Sequence, residues 1–462
     1  MKKKLLALLL SSAVALSMTA CGNGSNGGKD SGGQSADKGS EEDGADGSDS
    51  KDGGNGEKIV VWTLANDLKQ FAERYKKETG KEVEVVVFDS ADYEKKVMQT
   101  LGTKSKDVDI FVGEPQMLPN FYEAGFCADL SEMDSEVGEK LVDYTHEAGK
   151  DDDGVLRAIS YQATPGSVIY RCDLAKKVFG TDDPDEIGKK FSSFDSIAKT
   201  AEELDKEGYS IFGDTGSLRW FSNSSSPWVK DGQIIVDQDR LDYFDTAVDL
   251  YQKEYVAFAS EWSPAWYASM AGPLPKHAEG DDKDNLEGGA QTEVFSYVMP
   301  SWGALIVRDN AADNKGKFGV CSGVCSFFGG GTYLAVNEFS EHQDAAKDFV
   351  KYCTLNDDTA QWWLEASNGD VVANKNILEA NKDYKNPSFN NQNTYAFYLN
   401  ELEKVDYSMI TGYDDTCKDA FGAAIVSVQE GKQSKEEALK EFYTTVTSQY
   451  PELSIPDDAP GK

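Results

Sequence analysis

From residue 58 onward the apolar positions alternate between short runs and helical stripes. KIVVWT (58–63) is a continuous apolar run that predicts a buried strand. After it, Leu68, Phe71, Ala72 and Tyr75 share one helical face, and Gly80 stands where such a helix would end in left-handed backbone. EVEVVVFDS (82–90) predicts a second strand, Tyr93 to Leu101 a second helix, and DVDIFVGEP (107–115) a third strand closed by Gly and Pro. Strand–helix–strand–helix–strand is the order of a parallel sheet. Ligands of such sheets gather beyond the carboxyl ends of the strands, here residues 63–67, 89–92 and 113–116.

The pattern continues. DDDGVLRAIS (151–160) predicts a hairpin turn and strand; its acidic run lacks the alternating ligands and closing Glu of a calcium loop. FSSFDSIAKTAEELDKEGYSIFG (191–213) predicts a helix ending at Gly208 and then a strand. Leu241, Phe244, Val248 and Tyr251 mark a further helix, and 271–290, rich in Pro, Gly and acid, a surface loop. EVFSYVMPSWGALIV (293–307) is apolar and predicts strand, with Trp302 after a Pro-Ser turn. The run Gly329 to Gly331 allows bends that a Cβ forbids and leads into a strand at 333–336; it predicts a crossing between two lobes, with the return at SNGD (367–370). Between them Ala345, Ala346, Phe349, Val350 and Cys353, then Ala360, Trp363 and Leu364, recur at helical spacing, with Trp363 expected in the core. Near the end Phe421, Ala424, Ile425 and Val428 share a face, and Ser434-x-x-Glu437 is a capping box opening a last helix.

The beginning of the chain changes the picture. Lys2 to Lys4, an apolar core and Thr19-Ala20 form a secretory signal (1–20), outside the fold. Cys21 then stands as in a bacterial lipobox, which predicts lipidation there, although Met18 replaces the usual leucine. Residues 21–57 are almost wholly Gly, Ser, Asn, Asp, Glu and Lys, too polar to order themselves, and predict a flexible tether. The remaining length exceeds a single core, so two lobes are expected. The net charge of −35, from 81 acidic and 46 basic residues, argues against nucleic acid and disfavours an anionic ligand. No second run of about 20 apolar residues follows the signal. The six cysteines at 127, 172, 321, 325, 353 and 417 are expected to be mostly free and buried, and no zinc spacing occurs.

Over residues 58–450 the order of these motifs resembles extracellular solute-binding protein family 1, the carbohydrate-binding proteins of ATP-driven importers similar to maltose-binding protein. The resemblance is carried by the strand with Trp, the D-x-D-I strand, helix–Gly–x–x–x–D-L, the strand-then-Asp-Leu helix at 166–174, the glycine crossover, and the closing VQEGKQSKEEALKEF. It implies an α/β fold of the periplasmic-binding-protein-like type II, with two lobes joined by crossover hinges. The expected division is 58–162 plus 329–368 for the first lobe and 163–328 plus 369–456 for the second. It also implies partners: a carbohydrate ligand, permease subunits and the membrane through the lipid, for a protein that acts as a monomer.

Catalytic patterns are wanting. His146, His277 and His342 show no H-E-x-x-H spacing, and neither G-x-S-x-G nor a P-loop occurs, so no enzyme, cofactor or metal is expected. Binding has more support. Aromatics make up 11% of the chain, and Trp62, Trp220, Trp228, Trp262, Trp266 and Trp302 fall in turn-like or strand-end positions, where a flat ring can cover the apolar face of a sugar while Asp, Glu, Asn and Gln take its hydroxyls. The expected ligand-binding residues are Trp62, Asn66 and Asp67 after the first strand, Glu114 after the third, Gln162 and Phe327 at the crossovers, and Asp370 on the return. Trp302, Tyr413 and Asp414 follow from the resemblance, and Trp262 and Trp266 are additional candidates. Two alternatives remain: a polyamine or other cation in place of sugar, and a surface glycan hydrolase.

Overall fold

In the computed structural model of the chain, residues 58–89, 92–277 and 290–462 are described. The export signal, Cys21, the tether and most of the 271–290 loop lie outside these residues. The first strands are β1 (Ile59–Thr63), β2 (Val83–Val87) and β3 (Ile110–Gly113), with β4 (Ala158–Ser160) and β5 (Gly166–Arg171) following. In the first sheet β2 and β3 flank β1 in parallel, Trp62 lying opposite Phe111. The late strand Tyr333–Val336 inserts antiparallel between β3 and β4. A second sheet has β5 at its centre, between Ser296–Pro300 and Phe318–Cys321, both antiparallel to it. Helices cover both, giving two α/β lobes.

The helices form where apolar spacing and end residues agree. Asp67–Thr79 buries Leu68, Phe71, Ala72 and Tyr75, and ends at Gly80, whose φ of 76° lets its N–H reach the Lys76 carbonyl. Phe194–Asp205 opens on Ser193, which accepts the Ser196 N–H. The acidic turn is a hairpin turn: Asp151 accepts from the Asp153 and Val155 N–H groups and from Arg157. At the last helix, Lys435–Gln449, both halves of the capping box are made. Replacing Ser434 by alanine is expected to cost about 1 kcal/mol, read as a lowered midpoint in urea unfolding.

One stretch departs from expectation. The apolar run 293–307 is a strand only as far as Pro300; Ser301–Asn310 is a helix that buries Gly303, Ala304 and Val307. Pro300, at φ −59°, already has the dihedral a helix start needs. Periodicity cannot separate a short buried strand from a buried helix. Trp302 therefore sits in a first helical turn.

Three segments cross between the lobes, and they pair with one another. Ala163 N–H donates to the Val371 carbonyl and Ala373 N–H to that of Tyr161, both at 2.8 Å. Gly329 N–H donates to Thr164 at 3.2 Å, and Pro165 pairs with Phe328. The six cysteines are buried or half-buried and free, and burial pushes the thiols of Cys172, Cys325 and Cys417 up to about 12.

Candidate functional site

Above the crossing segments lies a cavity of about 760 Å³. The first lobe contributes Glu114 to Gln116, just past the carboxyl end of β3. The floor is Ser326 to Gly330 on the glycine crossover. The second lobe contributes Asp214 to Trp220, Trp302, and the face of helix Asp414–Gln429 that carries Lys418, Gly422 and Val426; the loop 404–410 adds Lys404, Asp406 and Ile410.

Two indoles are fixed from below. Trp220 stacks on Phe327, centroids 5.7 Å apart and planes at 20°, and the Arg219 guanidinium lies 4.9 Å from its ring centre. Trp302 donates its indole N–H to the Gly329 carbonyl at 2.9 Å. Gly330, at φ 66°, separates Trp302 from Glu114: a Cβ there would be 3.4 Å from the Trp302 nitrogen and 3.7 Å from Glu114 Oε1. Glu114 receives Gln116 on its other oxygen at 2.7 Å. Burial raises its carboxyl above the usual range, Gln116 opposes this, and Asp415 adds to it while Lys418 opposes it from the facing lobe. Asp214 accepts the Gly216 N–H at 2.8 Å and also the Glu261 N–H, while Arg219 pairs with Glu261. Burial raises both the Asp214 and Glu261 carboxyls, with Arg219 acting against it. The indole nitrogens of Trp220 and Trp228 line the cavity without a protein acceptor. Such a cavity offers flat apolar faces beside acceptors and donors.

Of the residues singled out in the sequence, the structure brings Glu114, Trp302 and Phe327 to this cavity, with Trp262 stacked behind Trp302 at 6.0 Å and 23°. Others sit elsewhere. Trp62 packs on Phe88 and lies 5.5 Å from Lys96. Asn66 is exposed and receives Lys69 at 3.3 Å; Asp67 accepts the Tyr161 hydroxyl at 3.1 Å, its carboxyl raised by burial. Tyr413 packs edge-on against Tyr450.

Four candidates are corrected to internal roles. Gln162 and Asp370 are buried and bond each other at 2.7 Å; Trp363 also donates to Asp370 at 2.8 Å, and Thr332 to Gln162 at 2.9 Å. Their polar atoms are therefore committed to tying the crossings together. Trp266 is buried against Tyr297 and closes over Gly213. Asp414 is buried and accepts both the hydroxyl and the N–H of Thr411. Sequence reasoning missed Asp214, Arg219 and Lys418 and left Trp220 outside its chosen set. The Asp214-x-Gly216 turn was legible as a helix-start signal, but its position opposite Glu114 was not.

Among the described residues no group of three or more His, Cys, Asp or Glu side chains is placed to hold a metal, and no helix is long and apolar enough to cross a membrane. Two α/β lobes, a paired three-segment hinge and a ligand-sized cavity above it define a two-lobed solute receptor. Residues 70–391 match the family model described as bacterial extracellular solute-binding protein, and the chain belongs to that family. It is 25% identical over 397 residues to the diacetylchitobiose-binding protein DasA of Streptomyces coelicolor, covering 82% of this chain and 84% of that one. A solved extracellular solute-binding protein of family 1 superposes with a TM-score of 0.69 at 18% identity, over 85% of this chain and 99% of its own. The binding protein of an ABC transporter from B. animalis subsp. lactis, solved with beta-1,6-galactobiose, gives 0.66 at 19% identity, over 87% and 100%. These structural likenesses support the type II fold anticipated from the motif order.

Proposed function

We propose that the protein captures a carbohydrate, an oligosaccharide, in the cavity between its lobes and delivers it to the permease of an ATP-driven importer. The observation that carries this is the pair of anchored indoles, Trp220 and Trp302, set beside Glu114, Gln116, Asp214 and Arg219. Each ring can cover one sugar face, worth roughly 2.5 kcal/mol per 100 Å² of buried apolar area. The carboxylates, amide and guanidinium supply acceptors and donors to hydroxyls. The DasA relative, named for a disaccharide of acetylated amino sugars, and the galactobiose complex support this ligand class. Lobe closure by bending at the paired crossings follows the hinge mode of such receptors, with lobes 58–162 plus 329–368 and 163–328 plus 369–456. We further assign a lipid anchor at Cys21 on the outer face of the cell membrane, a monomeric state and no turnover of the ligand.

The test is calorimetry against mono- and oligosaccharides, polyamines and amino acids, with the Trp302→Ala variant alongside. The expected result is oligosaccharide binding weakened at least tenfold, about 1.4 kcal/mol, by Trp302→Ala, with an unchanged unfolding midpoint. Trp62→Ala, which alters no cavity wall, is expected to leave affinity within about twofold. Unchanged affinity in Trp302→Ala would remove that ring from the site. One observation favours a cationic ligand instead: the cavity wall carries Glu114, Asp214, Asp406, Asp415, Asp419 and Glu430 against Arg219, Lys404 and Lys418. Binding of a polyamine but no sugar would decide for it. Release of reducing ends on incubation with glycans would decide for a hydrolase.

A further inference from the structure

Trp262 is the one tryptophan among the described residues that stands exposed, at 44%. Its backbone is also out of the ordinary, with φ of 69°. The Ser263 N–H donates to the Ser260 carbonyl at 3.0 Å, which closes a turn and puts Trp262 at its third position. Where that position takes positive φ, glycine or asparagine is the default, and a bulky side chain there is strained. The turn is held from both sides. The Glu261 N–H donates to Asp214, the Glu261 carboxylate pairs with Arg219, and Ser263 caps the following helix by accepting the Trp266 N–H at 3.2 Å.

Folding alone does not call for an indole at this point. A glycine would fit the turn better, and an exposed ring gains little from burial. What the ring does touch is Trp302, over which it lies at 6.0 Å with planes at 23°. Trp302 faces the cavity, and Ser260, two residues before Trp262, also lines it. The two indoles thus continue the aromatic wall from the cavity out to its rim, on a rigid support. Strain kept in place by surrounding bonds is a mark of functional positions.

We propose that Trp262 forms an outer subsite at the rim, stacking a sugar unit beyond those held by Trp220 and Trp302, and so sets the ligand length the protein prefers; this rests on the carbohydrate reading above. The polar rim of that unit stays in water, and the ring contributes contact to its apolar face.

The test is calorimetry on the full chain with chitin-derived oligomers and maltodextrins, dimer through pentamer, using wild type, Trp262→Gly and Trp262→Phe. Wild-type affinity is expected to rise about tenfold from dimer to tetramer. Trp262→Gly is expected to lose that gain on the longer ligands and keep the dimer affinity. Its unfolding midpoint should stay the same or rise, because glycine accepts positive φ without strain. Trp262→Phe should keep most of the gain. Equal loss at every length, a lowered midpoint with general loss of binding, or no loss at all would overturn the outer subsite and leave the carbohydrate reading standing. Binding of polyamines with none of the sugars would remove both.

Discussion

Replacing Gly329 by alanine is expected to abolish measurable ligand binding, although glycine and alanine differ by one methyl group. A Cβ on Gly329 would lie 2.1 Å from one Trp220 ring carbon, 2.5 Å from the next and 2.8 Å from Pro300. Trp220 has nowhere simple to go, since Phe327 stacks against it and the Arg219 guanidinium lies along it. Moving the backbone instead shifts the Gly329 carbonyl, which accepts the Trp302 indole N–H. Either relaxation displaces one of the two rings on which binding depends. The expected effect is about a hundredfold loss of affinity, close to 2.7 kcal/mol, with an overpacking cost to stability of about 1–3 kcal/mol. Gly330→Ala serves as the contrast. Its Cβ would meet only ordinary neighbours, so its effect is backbone strain at φ 66°, roughly 1–2 kcal/mol of stability, with a smaller loss of binding. Calorimetry and urea unfolding on both variants check the pattern. Adding Trp220→Ala to Gly329→Ala should restore stability without restoring binding; binding restored by that pair would show that Trp220 contributes nothing to the site.

The second large effect is expected at Asp370, which lies buried where the return crossing meets the first. One oxygen accepts from Gln162 at 2.7 Å and Trp363 at 2.8 Å, the other from the Val371 N–H at 3.0 Å. Asparagine can keep the shared acceptor, whereas alanine leaves the Gln162 and Trp363 donors buried without a partner. Both variants are neutral, so their difference isolates the lost acceptor. Asp370→Ala is expected to be less stable than Asp370→Asn by about 3 kcal/mol. The same residue predicts a pH dependence. Burial raises its carboxyl from 3.8 to about 6, against the opposing bonds of Gln162 and Trp363 and with nearby Asp67 adding to the rise. The folded chain therefore holds this proton more tightly than the unfolded chain. The contribution to stability is present in full below about pH 4 and is lost as the pH rises through about 6, a change of about 3 kcal/mol. Unfolding measured across that range should show wild type losing this amount relative to Asp370→Asn. Parallel pH profiles for the two would mean that Asp370 carries no shifted proton.

Much of this architecture was legible beforehand because it is written in local physics. Gly80 ends its helix for lack of a Cβ, the Ser434 and Glu437 capping box needs only residues three apart, and the first lobe's strand–helix alternation follows from side-chain period. The error at 293–307 is of the same local kind: a short apolar run fits a buried helix as well as a strand, and only the packing of Ala304 and Val307 chooses. The site was less legible. Asp370 and Gln162 were rightly placed at the crossings, but whether a crossing residue faces the cavity or its neighbours depends on side-chain direction after the lobes pack. Trp220, buried in a run of unremarkable sequence, becomes a wall only because Phe327 arrives beneath it from more than a hundred residues away.

By itself, the sequence determined the two-lobed α/β order, the helix ends, the glycine crossing and the family the chain belongs to, since each rests on periods, caps and spacings within a few residues. The tertiary structure alone decided which aromatic rings face the cavity, which acids are spent as internal ties, and that Trp262 stands in strained backbone over Trp302. Those outcomes are set by contacts between segments distant in the chain, and no local pattern encodes the direction in which a side chain points once two packed surfaces meet.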